Sequence, residues 1–450
     1  MYQVASFNEL APTPRLARSG PDAATRFASA LIVLFFLVDT ASYMLSGAEP
    51  FGGYLDESLV ASLLVVGLVR LGVSGRTPRS AGSIVLVVAS VALVGVLSQI
   101  FNPLVPRRYL NELFFRSAIV DLKPFVLVIS LLLITQSRKE NFLFAVRVIC
   151  YIGIVLALTN FAAILVQLVL GHDFRGNPLE KRVGIGIALG FYDHKFKTAF
   201  VALFGFISYL VLNNRIRASG VGLFFIFSLS LLMTLSVKEI AAGFVAILMR
   251  SGFVSANLRA MPLRFATATI AILAIITDNP LSNAVWDRID TFGDFDRLRT
   301  VRVALYKYAP DIALNYFPFG SGWGTWGSSA SRDVYYSPLY FKYGINSIHG
   351  GSIRDGSFLV DTFWPKILAE QGVVGFLIYA SVFAISVFVA IRWKDDGLPD
   401  PVRSFAICVL PALVVVSFAT PVFNYSYGAI LSSIAMVILL SRRQKSRAKG

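Results

Sequence analysis

The stretch DTFWPKILAEQGVVG, from Asp361 to Gly375, carries Asp361, Lys366 and Glu370 just ahead of the apolar run FLIYASVFAISVFVAI. Charges so close to a hydrocarbon-seeking segment are costly unless they pair, cap or react. Lys366 and Glu370 stand four residues apart, the spacing that sets opposite charges on one helix face, and a pair there needs no catalytic role. Asp361 is different. Pro365 suits a first helical turn, so Asp361 lies near the helix start, where an acid either caps the helix and complements its dipole or accepts a proton from a reacting hydroxyl. Both roles are open for it.

A second chemical signal is arginine. In FDRLRTVRVALYKYAPDIAL, Leu298, Val301, Leu305, Tyr308 and Ile312 form one helical stripe, with Arg299 and Arg302 on the other side. Such a helix is expected to lie on a membrane surface. PRRYLNELFFR adds Arg107, Arg108 and Arg116. RGNPLEKRVG adds Arg175, Lys181 and Arg182, and FYDHKFK follows with His194 and Lys195. The planar guanidinium captures phosphate through two parallel bonds. These groups therefore point to an anionic, membrane-bound ligand, either a lipid headgroup or a lipid-linked diphosphate.

The elements that must hold these residues are apolar helices. Of 450 residues 56% are hydrophobic and only 15% charged, and the mean hydropathy is +0.68. About twelve runs read as membrane spans, near 27–47, 58–73, 82–101, 119–135, 142–169, 188–212, 219–236, 239–250, 265–279, 358–391, 404–420 and 425–440. With the N-terminus inside, every cytoplasmic loop is basic, including Arg70, Arg76 and Arg79, Arg138 and Lys139, Arg250, Arg259 and Arg264, and the tail SRRQKSRAKG. That is the charge bias expected of inside loops. It also accounts for the net charge of +15 and excludes nucleic acid as the partner. The organisation is a cytoplasmic tail over 1–26, nine spans over 27–279, a large extracytoplasmic loop over 280–357, three spans over 358–440 and a basic cytoplasmic tail over 441–450. No cleavable signal peptide is visible, and the first span serves as the insertion signal.

Other motifs carry less. Cys150 and Cys408 fall in spans and offer neither a disulfide framework nor a zinc site. His172, His194 and His349 lack metal-ligand spacing, so no metal is expected. FPFGSGWGTWG, with Gly320, Gly322, Gly324 and Gly327, lacks the flanking strand, helix and Lys-Ser/Thr pair of a nucleotide loop. It reads as a tight turn that sets Trp323 and Trp326 at the membrane interface. GIGIALG (Gly184 to Gly190) reads as close helix packing.

Four stretches together resemble the O-antigen polymerase and O-antigen ligase superfamily, most nearly its bacterial exopolysaccharide polymerases. They are KRVGIGIALGFYDHKFKTAFVALFG, TLSVKEIAAGFVAIL, RLRTVRVALYKYAPDIALNYFPFGSGWGTW and DTFWPKILAEQGVVGFLIY. The motifs are degenerate, and their order and spacing carry the likeness. The resemblance implies an all-α polytopic protein with a GT-C-like glycosyltransferase fold in the bacterial cytoplasmic membrane. It implies transfer of a glycan from a polyprenyl diphosphate carrier to an acceptor hydroxyl on the outer face, without cofactor or metal. Implied partners are the lipid-linked oligosaccharide, membrane lipids, a chain-length regulator and a flippase. By this likeness Arg182 is the first diphosphate-binding arginine, and Arg297, Arg299 and Arg302 compete to be the second. Many ligases carry a His-Asn pair where this chain has Asp361 and Thr362, which favours a polymerase over a ligase. Asp361 is then the candidate base, with His349 and Asp355 of SIHGGSIRDGS in reserve. His194, Lys195 and Lys238 are candidates to line the same chamber. The alternatives are an O-antigen ligase or a transporter of lipid-linked oligosaccharide. Against transport, the sequence shows no internal repeat and gathers its charges on one face rather than in mid-span.

Overall fold

The computed structural model describes residues 20–46, 55–78, 80–101, 104–182, 185–192, 195–213, 218–254, 300–392 and 399–446. Eight of the helices in these segments are long and apolar enough to cross a membrane, as a helical membrane protein requires. In chain order the helices are α1 (Ala23–Ser46), α2 (Leu55–Ser74), α3 (Ala81–Phe101), α4 (Arg107–Thr135), α5 (Lys139–Leu170), α6 (Lys195–Leu212), α7 (Ala218–Met233) and α8 (Val237–Val254). After residue 300 come α9 (Val301–Asn315), the short α10 (Ser329–Asp333) and α11 (Pro338–Lys342), then α12 (Trp364–Ile391), α13 (Asp400–Ser417) and α14 (Ser426–Ser446). The expected span at 265–279 and the start of the expected loop, 280–299, lie outside the described residues.

The apolar runs became helices almost where expected, because twenty or so apolar residues satisfy their own backbone only as a helix. Two boundaries differ. The span expected at 119–135 begins its helix at Arg107, so Arg107, Arg108 and Arg116 stand on the first turns of α4 rather than in a loop. The run expected to begin at 188 starts its helix at Lys195. Upstream, Glu180–Arg182 and Ile185–Ile187 form a short antiparallel hairpin, β1 and β2, with Arg182 opposite Ile185. Ile185 to Gly190 therefore runs from a strand into a turn rather than forming a helix-packing stripe. Its last glycine, Gly190, has φ +64°, and a Cβ there would meet Asn160 Oδ1 at 2.1 Å.

Polar ties fasten the bundle at two ends. At one, Asp22 accepts from Arg70 at 2.7 Å and from Asn141 at 2.8 Å, joining α1, α2 and α5, while Arg250 meets Asp400 at 3.1 Å, joining α8 and α13. The other is termed the loop end, because residues 300–363 cover it. Those residues have a small core of their own. Val301, Leu305 and Ile312 of α9 are buried against Trp326, Leu339, Tyr340, Ile345 and Leu359. The apolar stripe of α9 thus packs inside this segment and does not rest on a membrane surface; Leu298 lies outside the described residues.

α12 is not one straight helix. Gly372 has φ 65° and ψ −167°, a conformation essentially restricted to glycine. The carbonyls of Ala369 and Glu370 consequently lose their helical donors. The Gly-rich turn supplies replacements: Ser321 N donates to Ala369 O at 2.8 Å and Gly322 N to Glu370 O at 3.0 Å, while Val374 N turns to Pro318 O at 3.4 Å. A turn expected to present tryptophans at the interface instead plugs a helix break, and Trp323 and Trp326 are both 0% exposed.

Candidate active site at the loop end

Thr300 caps α9 by accepting from Val303 N. With Val301 and Leu305 turned inward, Arg302 and Tyr306, one turn apart, are directed elsewhere. Arg302 Nη2 reaches Asp361 Oδ2 at 2.9 Å, and the two side chains are 22% and 28% exposed. This pair is half-open, so an anion or a hydroxyl could reach it from solvent. Tyr306 donates to the Phe418 carbonyl at 2.6 Å; burial pushes its phenol above the ordinary tyrosine value against the opposing charge of Arg302.

Capping does not account for Asp361. The residue at the N-cap of α12 is Phe363, and no side chain bonds the cap. Asp361 is held by Arg302 across 59 residues of sequence. Lys366 and Glu370 are structural, but they do not pair with each other as expected. Lys366 Nζ ion-pairs with Asp121 of α4, and both are buried. Asp121 Oδ2 also accepts from Gln371 at 3.1 Å, and Tyr379 donates to the Asp121 carbonyl at 3.0 Å. Glu370 accepts from Trp326 N at 2.9 Å. These groups clamp α4, α12 and the Gly-rich turn directly behind the segment that carries Asp361.

The connection between α13 and α14, residues 418–425, runs along the same end and collects further polar groups. Its Ala419 carbonyl and Thr420 hydroxyl accept from Lys238 at the start of α8. Lys238 also stands 5.1 Å from the Phe196 ring and 3.8 Å from Glu239. The charge of Lys195 acts on Glu239 as well. Further along, the Asn424 carbonyl accepts from Lys123 at 3.5 Å. Lys123 is ion-paired with Asp56 of α2, which accepts from Ser426 at 2.7 Å. Tyr427 donates to Asp39 at 2.6 Å. One strand of chain therefore touches Tyr306, Lys238 and Lys123, and through Tyr306 it adjoins the Arg302–Asp361 pair.

Several expected residues sit apart from this cluster or outside the described residues. His349 and Asp355 form their own pair at 3.9 Å, with side chains 86% and 48% exposed. Hydrogen bonds from Ser357 hold the Asp355 carboxyl below the usual range. Arg182 ends β1. Arg116 pairs with Glu112 on its own helix at 3.0 Å, and Arg108 lies 4.6 Å over the Tyr109 ring. His194, Arg297 and Arg299 lie outside the described residues. The sequence reading overlooked Asp39, Asp56, Glu57, Asp121, Lys123 and Glu239. The signal was available: each is a charge within or at the edge of an apolar run, where ions are retained only for a reason. Compared with protein-family models and with curated protein sequences, the chain matches none.

Proposed function

We propose that the chain is a polysaccharide polymerase of the bacterial cytoplasmic membrane, with about twelve spans, a GT-C-like architecture and both termini in the cytoplasm. On the outer face it transfers a glycan from a polyprenyl diphosphate carrier to a hydroxyl of a lipid-linked acceptor unit. The single observation that carries this reading is the half-open ion pair of Arg302 and Asp361 at the loop end. It sets an anion-binding guanidinium and a proton acceptor side by side, the two functions this chemistry needs. The acceptor hydroxyl gives its proton to Asp361 and its oxygen attacks the anomeric carbon. The bond from that carbon to the diphosphate oxygen breaks, and the bonding pair leaves with the diphosphate. Arg302 steadies the growing negative charge more in the transition state than in the ground state. Arg182, Arg297 and Arg299 are the other candidates for this work. Membrane anchoring of both substrates supplies proximity.

The pairing also suggests an order. While Arg302 holds Asp361, the carboxylate is engaged. An arriving diphosphate competes for the guanidinium and releases Asp361 to serve the acceptor, so the donor binds first.

The test uses proteoliposomes supplied with a polyprenyl-diphosphate oligosaccharide. Asp361→Asn should bind donor at least as well as the parent chain yet lose about 10²–10⁴-fold in rate, the usual weight of a general base. Arg302→Lys should weaken donor binding, because the fork is lost. Normal polymer from Asp361→Asn removes it as the base. In cells, a polymerase defect leaves single carrier-linked units on the outer leaflet. Units trapped on the inner leaflet would instead identify a flippase, and long carrier-linked chains a ligase.

A further inference from the structure

α5 carries two amides inside its apolar run, Asn160 and Gln167, seven residues and so about two turns apart. Each is 1% exposed. A buried amide costs free energy unless its hydrogen bonds are made. Here both amides bond one short piece of backbone. Gln167 Nε2 donates to the Gly190 carbonyl at 2.7 Å, and Gln167 Oε1 accepts from Gly190 N at 2.9 Å. This exchange copies one hydrogen-bonded pair of an antiparallel ladder. Asn160 Oδ1 accepts from Phe191 N at 3.1 Å. Thr198 of α6 donates to the Leu189 carbonyl at 2.6 Å, and the Tyr192 hydroxyl lies 3.1 Å from Thr40 of α1. The backbone of Gln167 is engaged as well: its carbonyl accepts from Gly171 N, at the C-cap of α5, at 2.9 Å. The chain thus leaves α5 at Gly171 and comes back at Gly190, and both glycines bond Gln167. A Cβ at residue 190 would overlap the Asn160 amide, so this close approach needs glycine.

We infer that Gln167 is a clasp that closes the base of the excursion over residues 171–190, with Asn160 beside it, and that the two are positioning residues for Arg182. The inference rests on the proposed glycan transfer for the role of Arg182. The route from clasp to arginine is short. β2 ends at Ile187, three residues before Gly190, and Ile185 of β2 stands opposite Arg182, the last residue of β1. A hairpin of two short strands is marginal by itself, so its place depends on what holds its ends. Helical backbone satisfies its own N–H and C=O groups, but residues 188–192 are not helical. Beside a membrane span such backbone needs partners within the protein, and Gln167 and Asn160 supply them. With the base closed, the hairpin keeps one position while a donor arrives. With it open, the donor must order the hairpin as it binds, and affinity falls with little change in turnover.

The experiment uses the full chain in proteoliposomes, read by hydrogen–deuterium exchange, by the Kd for polyprenyl diphosphate and by steady-state transfer from a polyprenyl-diphosphate oligosaccharide. In the parent chain, peptides covering 188–192 should exchange as slowly as the middle of α5. Gln167→Met keeps the side-chain length and removes both bonds to Gly190. It should speed exchange across 180–192 by about tenfold or more, as a local opening would. It should raise Kd and the donor KM by about tenfold, the size expected for two lost hydrogen bonds, and leave kcat within about twofold. The effect on Kd should vanish when Arg182 is already alanine, because the two residues then act as one unit. Thr159→Val, on the same helix with its hydroxyl bonded back to the Val155 carbonyl at 3.0 Å, should change none of these. Parent exchange over 188–192 as fast as that of an exposed loop would overturn the clasp, and this decides the matter even if Gln167→Met fails to fold. An unchanged Kd, or an effect that persists undiminished without Arg182, would overturn the positioning role. Slow exchange in the parent and fast exchange in the variant, with no transfer by the parent, would sink the glycosyltransferase reading and leave the clasp standing.

Discussion

Lys366→Met tests whether the charges at the head of α12 are architecture. Lys366 is 3% exposed and its partner Asp121 is 0% exposed. Removing one member of such a pair leaves a carboxylate in a low-dielectric interior, which costs about 3–5 kcal/mol. The cost should fall at the lower end, because Asp121 keeps the Gln371 amide at 3.1 Å and hydrogen bonds to a charged group contribute about 1.5–3 kcal/mol. About 3 kcal/mol is therefore expected. Asp121→Asn combined with Lys366→Met removes both charges while retaining the amide contact, and replacing a buried pair by neutral groups is often close to neutral. The double variant should recover most of the loss. The assay is thermal stability in detergent, read as the fraction of monodisperse protein surviving a heating series for the parent, both single variants and the double. A single variant as stable as the parent, or a double variant as unstable as the sum of the singles, would refute the buried-pair account.

Gly372→Ala should loosen the loop end. Its Cβ would stand 2.3 Å from the Pro318 carbonyl and 2.4 Å from Gly320 N, in a backbone conformation costing a non-glycine residue about 1–3 kcal/mol before any clash; limited proteolysis should then cut within 300–363 earlier than in the parent, and unchanged resistance would contradict the plugged break. For Asp22, burial pushes the carboxyl up, but hydrogen bonds from Thr25 and Asn141 and the charge of Arg70 outweigh it, so its folded value is lowered. A depressed acid contributes stability above its unfolded value and loses it as pH falls through the folded one. Heating series at pH 6 and at about pH 3 should therefore show a smaller acid penalty for Asp22→Asn than for the parent, and an equal penalty would show that the tie is not titrating.

Much of the fold was legible because apolar runs must become helices in a bilayer, and the runs ending at Phe101 or starting near Lys139 needed no partner to declare themselves. What escaped was everything decided by a distant partner. Lys366 and Glu370 have helical spacing that suggests each other, yet Asp121, 245 residues away, takes the lysine, and no periodicity reports such a contact. Trp323 and Trp326 have the composition of an interface anchor, but a broken helix elsewhere in the chain creates the slot that buries them. α6 starts late because a hairpin, too short to show as alternation, uses the residues ahead of it. At the candidate site Arg302 and Asp361 were each singled out from sequence. Their direct pairing was not, because an acid near a helix start is more simply read as a cap.

The plugged break in α12 has a mechanical consequence. The covering segment and the first turns of that helix share backbone bonds, so they form one lever with its fulcrum at Gly372. A pull on the outer segment bears on Trp364 and, through its hydrogen bond to Ser417 Oγ at 2.9 Å, on the end of α13. A load on the covering segment is thus transmitted from α12 to α13.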